Sequence, residues 1–125
     1  MVKICSWFIV LCLTATTALA AHKHLEKEYQ AVWCEQHHGT TEYLLPDDTR
    51  VDCLTNEYAI EFDFAGKWAE SIGQALYYSL RTDRTPGVVL ILERQSDRRF
   101  LKRIEAVADV YGIKVWIMEP KDLRP

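Results

Sequence analysis

Two acidic side chains alternate with apolar residues in the second half of the segment 57–64, near the middle of the chain. Glu61 and Asp63 are two positions apart, and residues two apart in a β-strand point to the same face of a sheet. If 55–56 is a two-residue turn, Asp52 lies diagonal to Glu61 on that face, roughly 7 to 8 Å away at the backbone. A divalent cation can bridge carboxylates at that separation, so the pattern predicts a metal site.

The same register leaves a simpler interpretation open. It places Arg50 directly opposite Glu61, where the guanidinium would neutralise the carboxylate in an ordinary surface salt bridge. Asp63 would then cap the turn at Gly66, and Lys67 would pair with an acid. The carboxylates would in that case stabilise the sheet and bind no ion.

A helix predicted to follow this strand carries one polar stripe at the helical period of about 3.6 residues. The stripe consists of Lys67, Ser71, Gln74, Tyr78 and Arg81. The opposite side is expected to pack on the sheet through Trp68, Ile72, Ala75, Leu76 and Ser79. The polar stripe begins where the acidic strand ends, so both can face one substrate.

Together these residue types suit metal-dependent hydrolysis of a phosphodiester. Asp52, Glu61 and the carbonyl oxygen of Phe62 supply the oxygen ligands that Mg²⁺ or Mn²⁺ prefers. A bound metal lowers the pKa of an attacking water and offsets charge in the transition state. Asp63 could bind a second ion or orient that water, and Lys67 could steady the scissile phosphate. The predicted activity is therefore that of a nuclease acting on DNA or RNA.

The arrangement of these motifs resembles the PD-(D/E)XK nuclease superfamily, with its restriction-endonuclease-like fold, and especially its exonuclease-like branch. The likeness covers roughly 24–92 and rests on Asp52, on Glu61-Phe62-Asp63, on the Gln-x-x-x-Tyr helix and on the αβββαβ order. It implies that Asp52 and Glu61 bind the metal. It also implies that Gln74 and Tyr78 contact DNA or brace the site, and that Glu35 matches an acid on the first helix.

One position departs from the family pattern. Where the family has a lysine two residues after the glutamate, this chain has Asp63. Lys67 could supply the missing ammonium from the start of the following helix. The alternative is an inactive module on the same fold that binds nucleic acid or another protein through the stripe ending at Arg81.

The length of 125 residues, with 49% hydrophobic and 26% charged side chains, is typical of a single soluble domain. Residues 1–20 have the three parts of a secretory signal peptide, with predicted cleavage after Ala20. We therefore expect an exported protein, periplasmic or secreted, with no stable membrane anchor. Cleavage removes Lys3 and takes the formal charge from −3 to −4. It leaves Cys34 and Cys53 either as a disulfide or as two buried thiols.

The predicted elements follow the order αβββαβαβ, a mixed α/β sheet flanked by helices. Hydrophobic periodicity and turn residues place them as follows: a helix at 24–38, strands at 41–45, 50–54 and 57–64, the central helix to Arg81, a strand at 88–92, a helix at 97–111 and a strand at 113–118. The tail from Pro120 is expected to be frayed.

Two further interpretations remain at this stage. Cys34, His37, His38 and Cys53 could form a zinc site, because Cys-x-x-His is a possible ligand step. The last helix has its basic residues in its first half, against the helix dipole, which hints at an anionic partner. A serine or cysteine nucleophile and a glycine-rich phosphate loop find no support in the sequence.

Overall fold

The structure, a computed structural model, describes residues 21–124. The predicted signal peptide at 1–20 lies outside the described residues. The helices are α1 (Glu26–Gln36), α2 (Trp68–Thr82) and α3 (Arg98–Tyr111); the strands are β1 (Thr40–Leu44), β2 (Arg50–Leu54), β3 (Tyr58–Phe64), β4 (Thr85–Ile91) and β5 (Lys114–Met118). Short 3₁₀ helices span Ala65–Lys67, Gln95–Asp97 and Pro120–Leu123. The α/β class with a mixed sheet is confirmed, and the elements follow one another in the order αβββαβαβ.

Residues 21–124 form one mixed five-stranded sheet with the spatial order β1-β2-β3-β4-β5. The first three strands form an antiparallel meander, and β3, β4 and β5 run parallel. Parallel neighbours need a crossover, which α2 provides between β3 and β4 and α3 provides between β4 and β5. β4 is buried along most of its length, as its continuous apolar sequence predicts.

The helices cover both faces of the sheet. On one face α1 packs through Tyr29 and Trp33 against Ile60 and Phe62 of β3. On the other face α2 and α3 bury Val88 and Leu90 of β4, together with Ala75, Ile104 and Ala108. Alternation along β3 therefore sends its even-numbered side chains toward α1 and leaves Glu61 and Asp63 on the side of α2.

A disulfide joins Cys34 of α1 to Cys53 of β2. This is the first of the two alternatives that the sequence left open. Gly39 lies against the bond, since a Cβ at this position would come within 2.4 Å of Cys53 Sγ and 2.7 Å of Cys34 Sγ. Only glycine allows the chain to pass so close to the sulfur atoms.

Two sequence-based expectations about the ends of elements were wrong. The tail is ordered as a 3₁₀ helix, whose first turn is capped when Asp122 Oδ2 accepts a hydrogen bond from Glu119 N at 2.8 Å. The apolar series Phe100, Ile104, Val107 and Tyr111 predicts that Tyr111 is buried in α3. Its side chain is 66% exposed, and Ala108 is buried instead. Within residues 21–124 no helix is long and apolar enough to cross a membrane.

The first turns of the helices gather at one edge of the sheet. Ala65–Lys67 carries the chain from the carboxyl end of β3 into α2, and Gln95–Asp97 carries it from the carboxyl end of β4 into α3. Hydrogen bonds from 22–29 to Glu93 bring the start of α1 to the same edge. In open α/β sheets, ligands bind outside the carboxyl ends of the parallel strands.

Candidate functional site

The pairing of β2 with β3 brings Asp52 and Glu61 together. Cys53 pairs with Ile60 and Leu54 with Ala59, so continuing this register sets Asp52 opposite Glu61. The predicted diagonal arrangement was wrong by two residues. The turn is longer than two residues, because Thr55 N donates to Tyr58 O at 2.9 Å and the strand resumes only there. The corrected register removes Arg50 from its expected position opposite Glu61.

Asp52 also lies at an irregular point of the sheet. The residue of β1 that faces Asp52 is Glu42, which has a positive φ of 53° inside the strand. Glutamate seldom adopts this backbone conformation, which is strained for a residue with a Cβ. Buried Gln30 of α1 stabilises the irregularity, since its Nε2 donates to Asp52 O at 2.7 Å and to Glu42 Oε1 at 3.0 Å. Such strain often accompanies functional sites.

The Glu61 carboxyl is buried beside two other carboxyl groups. The residue is 6% exposed, and its Oε2 has no hydrogen-bond partner among the described residues. Burial, together with repulsion from Asp52 and Asp63, raises the pKa of Glu61 far above its usual range. Burial also raises the pKa of Asp52, although Phe62 N donates to Asp52 Oδ2 at 2.8 Å and favours the anion. Both shifts favour a proton on the Asp52–Glu61 pair, with a hydrogen bond from the Glu61 carboxyl to Asp52.

Asp63 and Glu26 extend the cluster toward the sheet edge. Asp63 is 4% exposed, and burial raises its pKa to about 7 while the Lys67 ammonium lowers it. Burial and repulsion from Asp63 and Asp52 raise the pKa of Glu26 to about 7 as well. Lys67 therefore lies close to Asp63 and Glu26, where its ammonium could replace that of the absent motif lysine. We call Glu26, Asp52, Glu61 and Asp63 the acidic cluster.

The acid that α1 contributes is Glu26, and sequence reasoning missed it. Glu35 is exposed near the other end of α1, and its charge is not among those acting on Asp52, Glu61 or Asp63. The expected metal-ligand position at Glu35 is therefore not part of the cluster. Glu28, also on α1, caps the helix by accepting a hydrogen bond from Leu25 N at 2.6 Å.

Glu93 holds the start of α1 in place. This residue follows β4 and is 7% exposed. Its carboxylate accepts hydrogen bonds from Lys23 N at 3.0 Å, His24 N at 3.3 Å and Tyr29 Oη at 3.1 Å. His22 Nδ1 lies 3.0 Å from the same group. Burial opposes ionisation of Glu93, but these donors outweigh it and lower its pKa. The contacts fix 22–29 at the edge where Glu26 reaches the cluster.

The polar stripe of α2 faces the sheet more than predicted. Ser71 is fully buried and Tyr78 is 7% exposed. Burial, followed by repulsion from Glu61 and Asp52, raises the pKa of Tyr78 to about 12, and a hydrogen bond links the phenol to Gln74. Gln74 and Tyr78 thus accompany the acidic cluster. Arg81 does not, since it is exposed at the end of α2 and acts on Asp47 in the β1–β2 turn.

The metal-site predictions have separate outcomes. The zinc interpretation was wrong, because the disulfide consumes Cys34 and Cys53 and His37 Nδ1 lies 2.7 Å from Trp33 O. Within residues 21–124, no three His, Cys, Asp or Glu side chains are arranged as a ready metal site. The acidic cluster nevertheless fits a hard divalent cation chemically. It offers carboxylate oxygens, one of which is buried without a partner among the described residues, and burial and mutual repulsion raise the pKa values of its acids.

A search for similar proteins found no match to this chain among family models, curated proteins or solved structures.

Proposed function

We propose that this protein is a divalent-metal-dependent nuclease built on a restriction-endonuclease-like fold. The observation that carries the proposal is the acidic cluster, in which Glu61 is buried with an unpartnered oxygen beside Asp52 and Asp63. A group of buried carboxylates without a compensating cation is unfavourable in a purely structural role. Perturbed pKa values of this kind are concentrated at functional sites.

The element order and the place of the cluster in the sheet support the same proposal. The αβββαβ order, the mixed sheet and the acids on β2 and β3 agree with what the resemblance to PD-(D/E)XK nucleases implies. The cluster reaches the carboxyl end of β3, the first of the parallel strands, where ligands of open α/β sheets bind.

Asp52, Glu61 and Asp63 would hold Mg²⁺ or Mn²⁺, with Glu26 as a further candidate ligand. When bound, the metal supplies Lewis acidity and a water of lowered pKa. The ligands must lose their protons on metal binding, so the affinity should rise with pH.

The remaining polar residues have roles in positioning and charge. Lys67 is close enough to lower the pKa of Asp63 and Glu26, and it can contact the phosphate in place of the absent motif lysine. Tyr78 and Gln74 form a linked pair over the Asp52–Glu61 side of the cluster. They would orient these carboxylates or a nearby sugar-phosphate group.

A second candidate is a binding module without catalysis. Asp63 stands where the family has lysine, and the described side chains form no ready metal site; both observations favour it. Such a module would bind nucleic acid with or without chelator and would leave it intact.

The test is cleavage of linear double-stranded and single-stranded DNA by the purified protein, with Mg²⁺, with Mn²⁺ and with chelator. We expect metal-dependent cleavage by the wild type and a loss of about 100-fold or more in Glu61→Gln, because the metal ligand is removed while the side-chain volume is kept. Glu105→Gln, an exposed carboxylate of α3, is the matched control and should cleave normally. Binding without cleavage under every metal condition would favour the module.

A further inference from the structure

Three cations form one exposed face on the first turns of α3. Arg99, Lys102 and Arg103 are spaced so that they lie side by side on a helix, and all three are exposed. The guanidinium groups of Arg99 and Arg103 lie 4.6 and 5.5 Å from the centre of the Phe100 ring. This shared contact limits their freedom and holds them on one surface. We call these three cations the basic face of α3.

The basic face adjoins the acidic cluster. α3 packs against the 3₁₀ helix Ala65–Lys67, which connects Asp63 to α2. A cavity of about 200 Å³ between them is bordered by Gly66 on one side and by Arg99 and Phe100 on the other. Lys67 follows Gly66 directly and acts on Asp63. The cavity therefore separates the basic face from the turn that connects Asp63 to Lys67.

Two acids border this cavity, Asp97 and Glu93, and both are engaged in hydrogen bonds; a third, Glu70 in the first turn of α2, acts on Asp63. Asp97 Oδ2 accepts hydrogen bonds from Glu93 N at 2.9 Å and Arg94 N at 3.0 Å, which closes the turn before α3. Glu93 is occupied by donors from 22–29. The first turn of α3 contains no acidic residue, and Glu105 and Asp109 come in its second half. Cations at a helix N-terminus oppose the helix dipole, so an anionic partner would relieve an unfavourable arrangement.

We propose that the basic face of α3 binds the phosphate backbone of double-stranded nucleic acid next to the phosphodiester at the acidic cluster. This inference rests on the proposed function only in placing the cleaved phosphodiester at the acidic cluster. Arg99 and Arg103 stand one helical turn apart, so they can contact separate phosphates of one strand. Such contacts carry no sequence preference, and the binding is set by charge and salt.

The experiment measures binding of a fluorescent DNA duplex of about 30 base pairs over a series of salt concentrations, in chelator and in a Glu61→Gln background. Arg99→Gln/Arg103→Gln should weaken binding about tenfold or more and reduce the slope of log affinity against log salt by about 2. Lys114→Gln/Arg124→Gln removes two exposed charges outside α3. It is the matched control and should retain affinity and slope. Circular dichroism confirms that each variant is folded.

The outcomes separate this inference from the nuclease proposal. Weaker binding in the α3 variant supports the basic face even if the wild type never cleaves DNA. If the wild type cleaves DNA and the α3 variant binds the duplex as tightly as the wild type, the proposed binding role of the basic face is contradicted. The nuclease proposal is then unaffected. Failure of the duplex to bind, or α3-dependent binding of anionic phosphatidylglycerol vesicles in its place, would also overturn the inference.

Discussion

At the scale of single residues, the main feature of the molecule is a group of buried carboxyl side chains that lie close together. Glu61 lies between Asp52 and Asp63, and its buried Oε2 has no partner in the described part of the chain. The sequence identified these three acids because strand alternation places Glu61 and Asp63 on one face. It could not identify Glu26, whose position depends on contacts between 22–29 and Glu93, more than 60 residues away in the chain.

The raised pKa values predict how stability changes with pH. Asp63 and Glu26 have pKa values of about 7 in the folded protein, against about 4 in an unfolded chain. Between these values the folded state holds more protons than the unfolded state, so the free energy of unfolding falls as the pH rises. From about pH 5 to pH 8 in chelator we expect a decrease of about 1 to 2 kcal/mol, discounted for solvent screening. Urea denaturation measures it.

Asp63→Asn is the control for that pH dependence. The amide cannot ionise, so the variant should show a flatter profile and greater stability than the wild type at about pH 8. A wild-type stability that rises over this interval, or a slope that Asp63→Asn leaves unchanged, would contradict the raised pKa.

A second prediction at the residue scale compares the two α1 acids. Glu26→Gln should weaken Mn²⁺ binding several-fold, because Glu26 acts on Asp63 and Asp52. Glu35→Gln changes an exposed carboxylate of the same helix, and it should leave the affinity unchanged. Calorimetric titration of both variants measures the difference. The opposite result would restore the original assignment of the acid to Glu35.

At the scale of elements, strand and helix boundaries were mostly predictable and the register was not. The strand at 50–54 was predicted with the bounds that the structure shows. The β2–β3 register was missed because Thr55 Oγ1 accepts hydrogen bonds from Glu57 N at 3.3 Å and Tyr58 N at 2.9 Å. These bonds stabilise a longer turn than the sequence pattern indicated. The positive φ of Glu42 inside β1 also has no sequence signal, since it depends on Gln30 from another element.

The placement of α1 yields a prediction of its own. Glu93→Gln replaces one of the two acceptor oxygens by a donor amide, so the donors of 22–29 must share a single uncharged oxygen. We expect a loss of about 2 to 3 kcal/mol in the free energy of unfolding. Mn²⁺ affinity should also fall, since the start of α1 carries Glu26. Denaturation and Mn²⁺ titration of the same sample measure both effects. A variant with full stability and unchanged affinity would show that Glu93 does not position α1.

At the scale of the whole molecule, the Cys34–Cys53 bond ties the helix on one face to the antiparallel part of the sheet. Its two residues are 19 positions apart, a loop length for which a disulfide contributes about 3 kcal/mol. Persistent disulfides are typical of oxidising compartments. The bond is therefore compatible with the predicted export, which stays a prediction.

Removing this bond should lower stability without disturbing the acidic cluster. Cys34→Ala/Cys53→Ala is expected to lose about 3 kcal/mol in the free energy of unfolding. Gly39→Ala should also be destabilised, because its Cβ would collide with the sulfur atoms at 2.4 and 2.7 Å. Denaturation with and without a reductant measures both. If the reductant has no effect on the wild type, the stabilising role of the bond is contradicted.

The proposed activity requires that the acidic cluster bind a cation, and Mn²⁺ titration followed by electron paramagnetic resonance tests this directly. For the full chain we predict saturable Mn²⁺ binding whose affinity rises from about pH 6 to pH 8 as the ligands lose protons. Glu61→Gln and Asp52→Asn should each reduce the affinity about tenfold or more, while Glu105→Gln should not. Absence of Mn²⁺ binding at about pH 8, or binding that neither Glu61→Gln nor Asp52→Asn weakens, would contradict the account.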